Sequence, residues 1–179
     1  MKTVFFDIDS QLDFLYPAGA LYVPNAERIL PAIAHLNRFA AAHGIPVVST
    51  TDAHSENDPE FSVWPPHCVA GTWGQHKAEA TLLDGASQIV VEKQTVDVFL
   101  SPDLVRVVER LNADRYVVYG VVTEICVLHA VRGLLKTGKP VTVVTDAVKS
   151  LNAQDSARAL AEVRAGGGRL ATVSEIGVT

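Results

Sequence analysis

The chain has 179 residues, 48% apolar and 20% charged, with a formal net charge of −5. That is a globular composition with enough apolar material for a core, and the length suits a single domain over 1–179. The acidic balance and the lack of any basic run argue against nucleic acid or an anionic membrane surface as partner.

No apolar run reaches the ~18 residues of a membrane span. The N-terminal residues Met1-Lys2-Thr3-Val4-Phe5-Phe6-Asp7 turn acidic too soon for a signal peptide. A cytoplasmic location is therefore expected, where Cys68 and Cys126 are thiols rather than a disulfide framework.

Thr3 to Ile8 is a β-branched and aromatic run that predicts a buried strand. Apolar residues at Ile29, Leu30, Ile33, Leu36 and Ala40 give helical spacing over about 25–43, with Gly44 as a stop. Pro31 within that span predicts a bend or a later start. Ile45 to Thr50 reads as a strand. From Asp52 to about Lys77 no period holds, and a long irregular stretch in a compact domain is usually functional.

Ala78 to Leu83 reads as a short helix and Gln88 to Glu92 as a strand with Lys93 at its end. Ser101-Pro102-Asp103 opens a helix, with Ser as cap, Pro in the first turn and an acid at the dipole. Tyr116–Tyr119 is a strand, Glu124–Leu135 a helix, Val141–Thr145 a strand, Asp155–Ala165 a helix, and Leu170–Val173 the last strand. This alternation predicts an α/β fold, an open, mostly parallel, doubly wound sheet with helices on both faces. Ligands of such folds sit beyond the carboxyl ends of the strands. Asp9, Asp52, Lys93 and the turn from Gly120 to Cys126 all fall there.

Cys126 is the nucleophile candidate. With Thr123 as helix cap it would be the third helical residue, among free N–H groups at the positive end of the dipole. Such a place lowers a thiol pKa and can hold an oxyanion. A lone helical cysteine is more often a small buried hydrophobe, so partners decide. Asp7 and Asp9, two apart on a strand, should share a face, and either can serve as a base or merely as an ion-pair partner. Lys93 can hold a thiolate and a carboxylate together, or be an ordinary surface lysine. Asp52-Ala53-His54 and His67, with Glu60 between them, carry the donors that suit Zn²⁺, Mn²⁺ or Fe²⁺, or form a polar loop with solvent-facing histidines.

Four segments together resemble the isochorismatase-like cysteine hydrolases, and within them the nicotinamidases (pyrazinamidases). They are Asp9-Ser10-Gln11-Leu12-Asp13-Phe14, Asp52-Ala53-His54 with Trp64-Pro65-Pro66-His67-Cys68, Lys93, and Gly120-Val121-Val122-Thr123-Glu124-Ile125-Cys126. The resemblance implies a catalytic triad of Asp9, Lys93 and Cys126, and so selects Asp9 over Asp7 and Asp13. It implies one divalent metal ion, zinc first and manganese or iron otherwise, on Asp52, His54 and His67 with Glu60 as a fourth ligand. It also implies a cis peptide at Val121–Val122 and an oxyanion hole from Val122 and Cys126.

Phe14 and Trp64 would wall a small-molecule amide substrate. The activity implied is hydrolysis of nicotinamide through a thioester, a step of NAD metabolism. A ureido or carbamoyl amide, or isochorismate, is the alternative on the same cysteine. Apolar helix faces leave room for a homo-oligomer. Ser10 and Leu12 depart from the residues common in nicotinamidases, which bears on the substrate rather than on the chemistry.

Overall fold

The computed structural model describes residues 1–85 and 88–176. Six strands, β1 (Thr3–Ile8), β2 (Val47–Asp52), β3 (Gln88–Lys93), β4 (Arg115–Val121), β5 (Val141–Lys149) and β6 (Arg169–Ala171), form one sheet in the order β3-β2-β1-β4-β5-β6. Every pairing is parallel. The helices are α1 (Leu12–Leu15), α2 (Leu30–Ala42), α3 (Pro102–Leu111), α4 (Leu128–Leu135), α5 (Ala153–Ala165) and α6 (Val173–Ile176). No described helix is long and apolar enough to cross a membrane.

All six residues of β1 are buried, which explains a run without polar alternation. On one face Phe5 stacks near Phe39 of α2, at 6.4 Å between ring centroids, and meets the edge of Tyr119 at 6.1 Å. On the opposite face Phe6 meets Tyr116 at 5.7 Å. Edge-on pairs of this kind add roughly 0.5–1.5 kcal/mol beyond their burial. Gly120 lets β4 run this close to β1. It adopts φ +119°, and a Cβ there would lie 2.1 Å from the Ile8 carbonyl oxygen.

The local differences from expectation have local causes. Pro31 lies in the first turn of α2, after a separate 3₁₀ turn at Ala26–Ile29, so the later start is the outcome. The expected helix at 78–83 is a single 3₁₀ turn, Glu79–Thr81. Helix α5 starts at Ala153 because the Asn152 side chain accepts the Asp155 N–H at 2.9 Å. The last strand stops at Ala171, not Val173. The Glu175 carboxylate there accepts both the N–H and the hydroxyl of Thr172, at 2.6 and 2.8 Å, and starts α6 instead.

Candidate active site

Four carboxyl ends of the sheet meet in one cleft. β1 stops at Ile8 and Asp9 adopts φ +48°, so the strand alternation breaks at that residue. The expectation that Asp7 and Asp9 share a face therefore fails. Asp7 takes hydrogen bonds from Asn37 and Lys77. Asp9 instead turns to Lys93, whose Nζ is 2.9 Å from its Oδ2. The Thr50 hydroxyl donates to Asp9 Oδ1 at 2.6 Å and fixes the carboxylate plane. No sequence signal marked Thr50; it matters because Ile8 pairs with it across the β1–β2 ladder.

Lys93 is the last residue of β3 and stands in register with Asp52, the last of β2. It is buried, and its ammonium touches three groups: Asp9, one oxygen of Asp52, and Cys126 Sγ at 3.7 Å. Burial opposes its charge, but Asp9, Cys126 and Asp52 together hold its pKa well above the ordinary lysine value. The reverse balance holds at Asp9, where burial outweighs Lys93 and raises the carboxyl pKa.

Cys126 lies in a wide turn, Thr123–Val127, that is closed by the Val127 N–H donating to the Val122 carbonyl at 3.1 Å. Val122, not Thr123, is the cap, and α4 proper begins only at Leu128. Burial pushes the thiol well above its usual pKa, Lys93 pulls it down, and Asp9 and Asp52 push it up. The turn therefore does not supply a ready thiolate as the helix-start reading expected. Burial is the largest effect on the thiol, and a base is needed to take its proton. The Val121–Val122 peptide is cis.

Asp52, His54 and His67 present ligand atoms within 4.8 Å of one another, and all three are buried. Asp52 Oδ2 is 3.9 Å from Nε2 of each histidine. His67 Nδ1 is 2.8 Å from the Pro65 carbonyl, which leaves Nε2 for the cluster. His54 Nδ1 is 3.0 Å from Asp58 Oδ2, yet neither of its ring nitrogens makes a well-formed hydrogen bond although the ring is fully buried. A buried imidazole nitrogen without a partner, facing a carboxylate and a second imidazole, fits a divalent cation of the zinc type.

Burial alone would lower the His54 pKa. The neighbouring Asp52 and Asp58 carboxylates outweigh it and lift the value to about 8. His67 is lowered by burial. Asp58 escaped the sequence reading. Its only signal is its place four residues after His54 and before Pro59, where its other oxygen caps the turn by accepting the Glu60 N–H at 2.9 Å.

The irregular stretch between β2 and β3 is tied down along its length. The His54 N–H donates to the Cys68 carbonyl at 3.0 Å, and the Ala70 N–H to the His54 carbonyl at 2.9 Å. The Cys68 N–H donates to Asp13 Oδ2 at 2.7 Å, and the Asp13 N–H to the Gly74 carbonyl at 3.0 Å. Beside this platform opens a cleft whose empty space, about 410 Å³, includes its open mouth. Asp9, Asp52, His67, Val122 and Cys126 line it together with Phe14, Trp64 and Glu60. The Phe14 ring lies 5.5 Å from that of His67. Glu60 stands in the cleft wall, outside the group of donors that meet at Asp52, His54 and His67.

The family model described as Isochorismatase domain matches residues 3–175. This chain belongs to the isochorismatase family. Among relatives, the nicotinamidase of Escherichia coli (strain K12) is 26% identical, with 94% of this chain and 93% of that protein covered. The nicotinamidase/pyrazinamidase of Mycobacterium tuberculosis is 29% identical, with 88% and 91% covered. Among solved structures, the pyrazinamidase of Pyrococcus horikoshii in complex with zinc is 29% identical over 96% of this chain and 99% of that one, with a TM-score of 0.88. The isochorismatase fold seen in such neighbours is the six-stranded parallel sheet described above.

Proposed function

We propose that this isochorismatase-family chain is a nicotinamidase, converting nicotinamide and water to nicotinate and ammonia. One observation carries the reading: the Lys93 ammonium touches Asp9, Cys126 and Asp52 at once, with the two histidines beside Asp52. Nicotinamidases and pyrazinamidases among the relatives support it.

In this reading Asp9, with a pKa raised by burial, takes the Cys126 proton. Lys93 compensates the charge that moves from carboxylate to thiolate. The thiolate attacks the amide carbonyl, and backbone N–H groups of Val122 and Cys126 receive the oxyanion; one such donor is worth roughly 3–4 kcal/mol. Asp9 returns its proton to the departing ammonia, leaving a thioester. It then deprotonates the water that releases the acid and restores the thiol.

Phe14 and Trp64 flank the pyridine ring. Asp52, His54 and His67, with Glu60 as an outer donor, would hold the divalent cation, for which zinc is our choice. Its chemistry is that of a Lewis-acid anchor for the ring nitrogen.

The test is ammonia release from nicotinamide by the purified protein before and after chelation. Activity lost to the chelator and regained with Zn²⁺, Mn²⁺ or Fe²⁺ is the expected result. Full activity in metal-free protein would favour a ureido or carbamoyl amide, or isochorismate, as substrate. No release by metal-loaded protein would overturn nicotinamide.

A further inference from the structure

In a parallel ladder every second residue of a strand presents both its N–H and its C=O to the same neighbour. Thr50 faces β1 in this way, and its carbonyl accepts the Asp9 N–H at 3.1 Å. Asp52 is next to face that side, but β1 has ended. The Asp9 carbonyl is diverted to the Gln11 N–H at 2.7 Å. The peptide groups of Asp52 would be left buried without a partner, a costly state.

The Gln11 side chain supplies the missing rung. Its Oε1 accepts the Asp52 N–H at 2.7 Å, and its Nε2 donates to the Asp52 carbonyl at 2.8 Å. The second Nε2 hydrogen goes to the Gln75 carbonyl at 2.7 Å. Gln11 is fully buried, so no solvent replaces these bonds. The geometry requires one acceptor and two donors in one plane, which the glutamine amide alone provides among side chains of that length.

We propose that Gln11 is a positioning residue that aims the Asp52 carboxylate. Asp52 serves Lys93 with one oxygen and the two histidines with the other. A rotation of its peptide would spoil both at once. The inference rests on the metal-dependent hydrolase reading above, and it assigns Gln11 no contact with substrate.

The experiment compares wild type with Gln11→Met, which is similar in length and cannot make the rung. A second variant, Gln11→Glu, keeps an acceptor and, when protonated, one donor. Each is titrated with Co²⁺, and affinity and the visible absorption band of the bound ion are read beside circular dichroism and turnover of nicotinamide. We expect folded Gln11→Met to bind Co²⁺ about 10- to 100-fold more weakly with an altered band, its kcat falling while KM changes less. Gln11→Glu should recover part of both.

Wild-type affinity and band in folded Gln11→Met would overturn the proposal. So would loss of fold in both variants, which would make the role structural only. If wild type itself neither binds Co²⁺ nor releases ammonia, the functional reading fails instead.

Discussion

Asp52 gives one carboxylate oxygen to the Lys93 ammonium and faces His54 and His67 with the other, 3.9 Å from a nitrogen of each. Donor cluster and nucleophile cluster are therefore parts of one charge network. Asp52→Asn should lose metal affinity and turnover together, and it should lower the melting temperature because the buried Lys93 keeps only one of its two carboxylates. His67→Ala should lose metal affinity without that melting penalty, since it leaves Lys93 its carboxylates. Equal melting temperatures for the two variants would contradict a shared network.

Cys126→Ala should reduce ammonia release to below a few per cent while retaining the melting temperature and the binding of nicotinamide. The side chain is small and buried, so truncation leaves the turn intact. Single-turnover mixing with wild type should also trap an acyl-enzyme that the variant never forms. Substantial residual turnover in the alanine protein would exclude Cys126 as nucleophile.

Asp58 touches His54 from behind the donor cluster, at 3.0 Å. Partners of this kind orient a ligating ring and usually contribute 10- to 100-fold in metal affinity, on the order of 1.4–2.7 kcal/mol. Asp58→Asn is expected to weaken zinc binding in that range and to regain most activity at saturating metal. Competition with a chromogenic chelator would measure it.

The pH dependence of metal binding has a definite sign. A cation needs neutral His54, whose conjugate acid has a pKa lifted to about 8 by Asp52 and Asp58 against the opposing effect of burial. Below that pH a proton must leave for each ion bound, so apparent affinity should fall about tenfold per pH unit as pH is lowered. Above it, affinity should level off. His67, lowered by burial, adds no second proton near neutrality. Calorimetry in two buffers of different ionisation heat would count the proton, and a release of zero at pH 7 would refute the assignment.

The order of elements was legible because β1 and β4 are buried on both faces and read as largely apolar runs, and the mostly β-branched stretch 47–51 marks β2. Placing Asp9, Asp52, Lys93 and Cys126 at carboxyl ends needed nothing more than that order. What escaped depended on backbone angles and on pairings across space. The left-handed turn at Asp9 separated it from Asp7, and no spacing rule contains that turn. Thr50, Asp58 and Gln11 act through hydrogen bonds or close contacts whose partners are fixed only by the fold. Position on a turn is readable in a sequence, whereas the depth of burial that raises the thiol pKa is not.

The tethered stretch after β2 gives the cleft two unlike jaws. On one side His67, Trp64 and Glu60 belong to a segment bonded to β1, to α1 and to itself. On the other, Val96 and Leu151 sit on short connections after β3 and β5. Variation that retunes this scaffold to a bulkier amide would enter through the second jaw. A change in the first would disturb the histidines before it widened the opening.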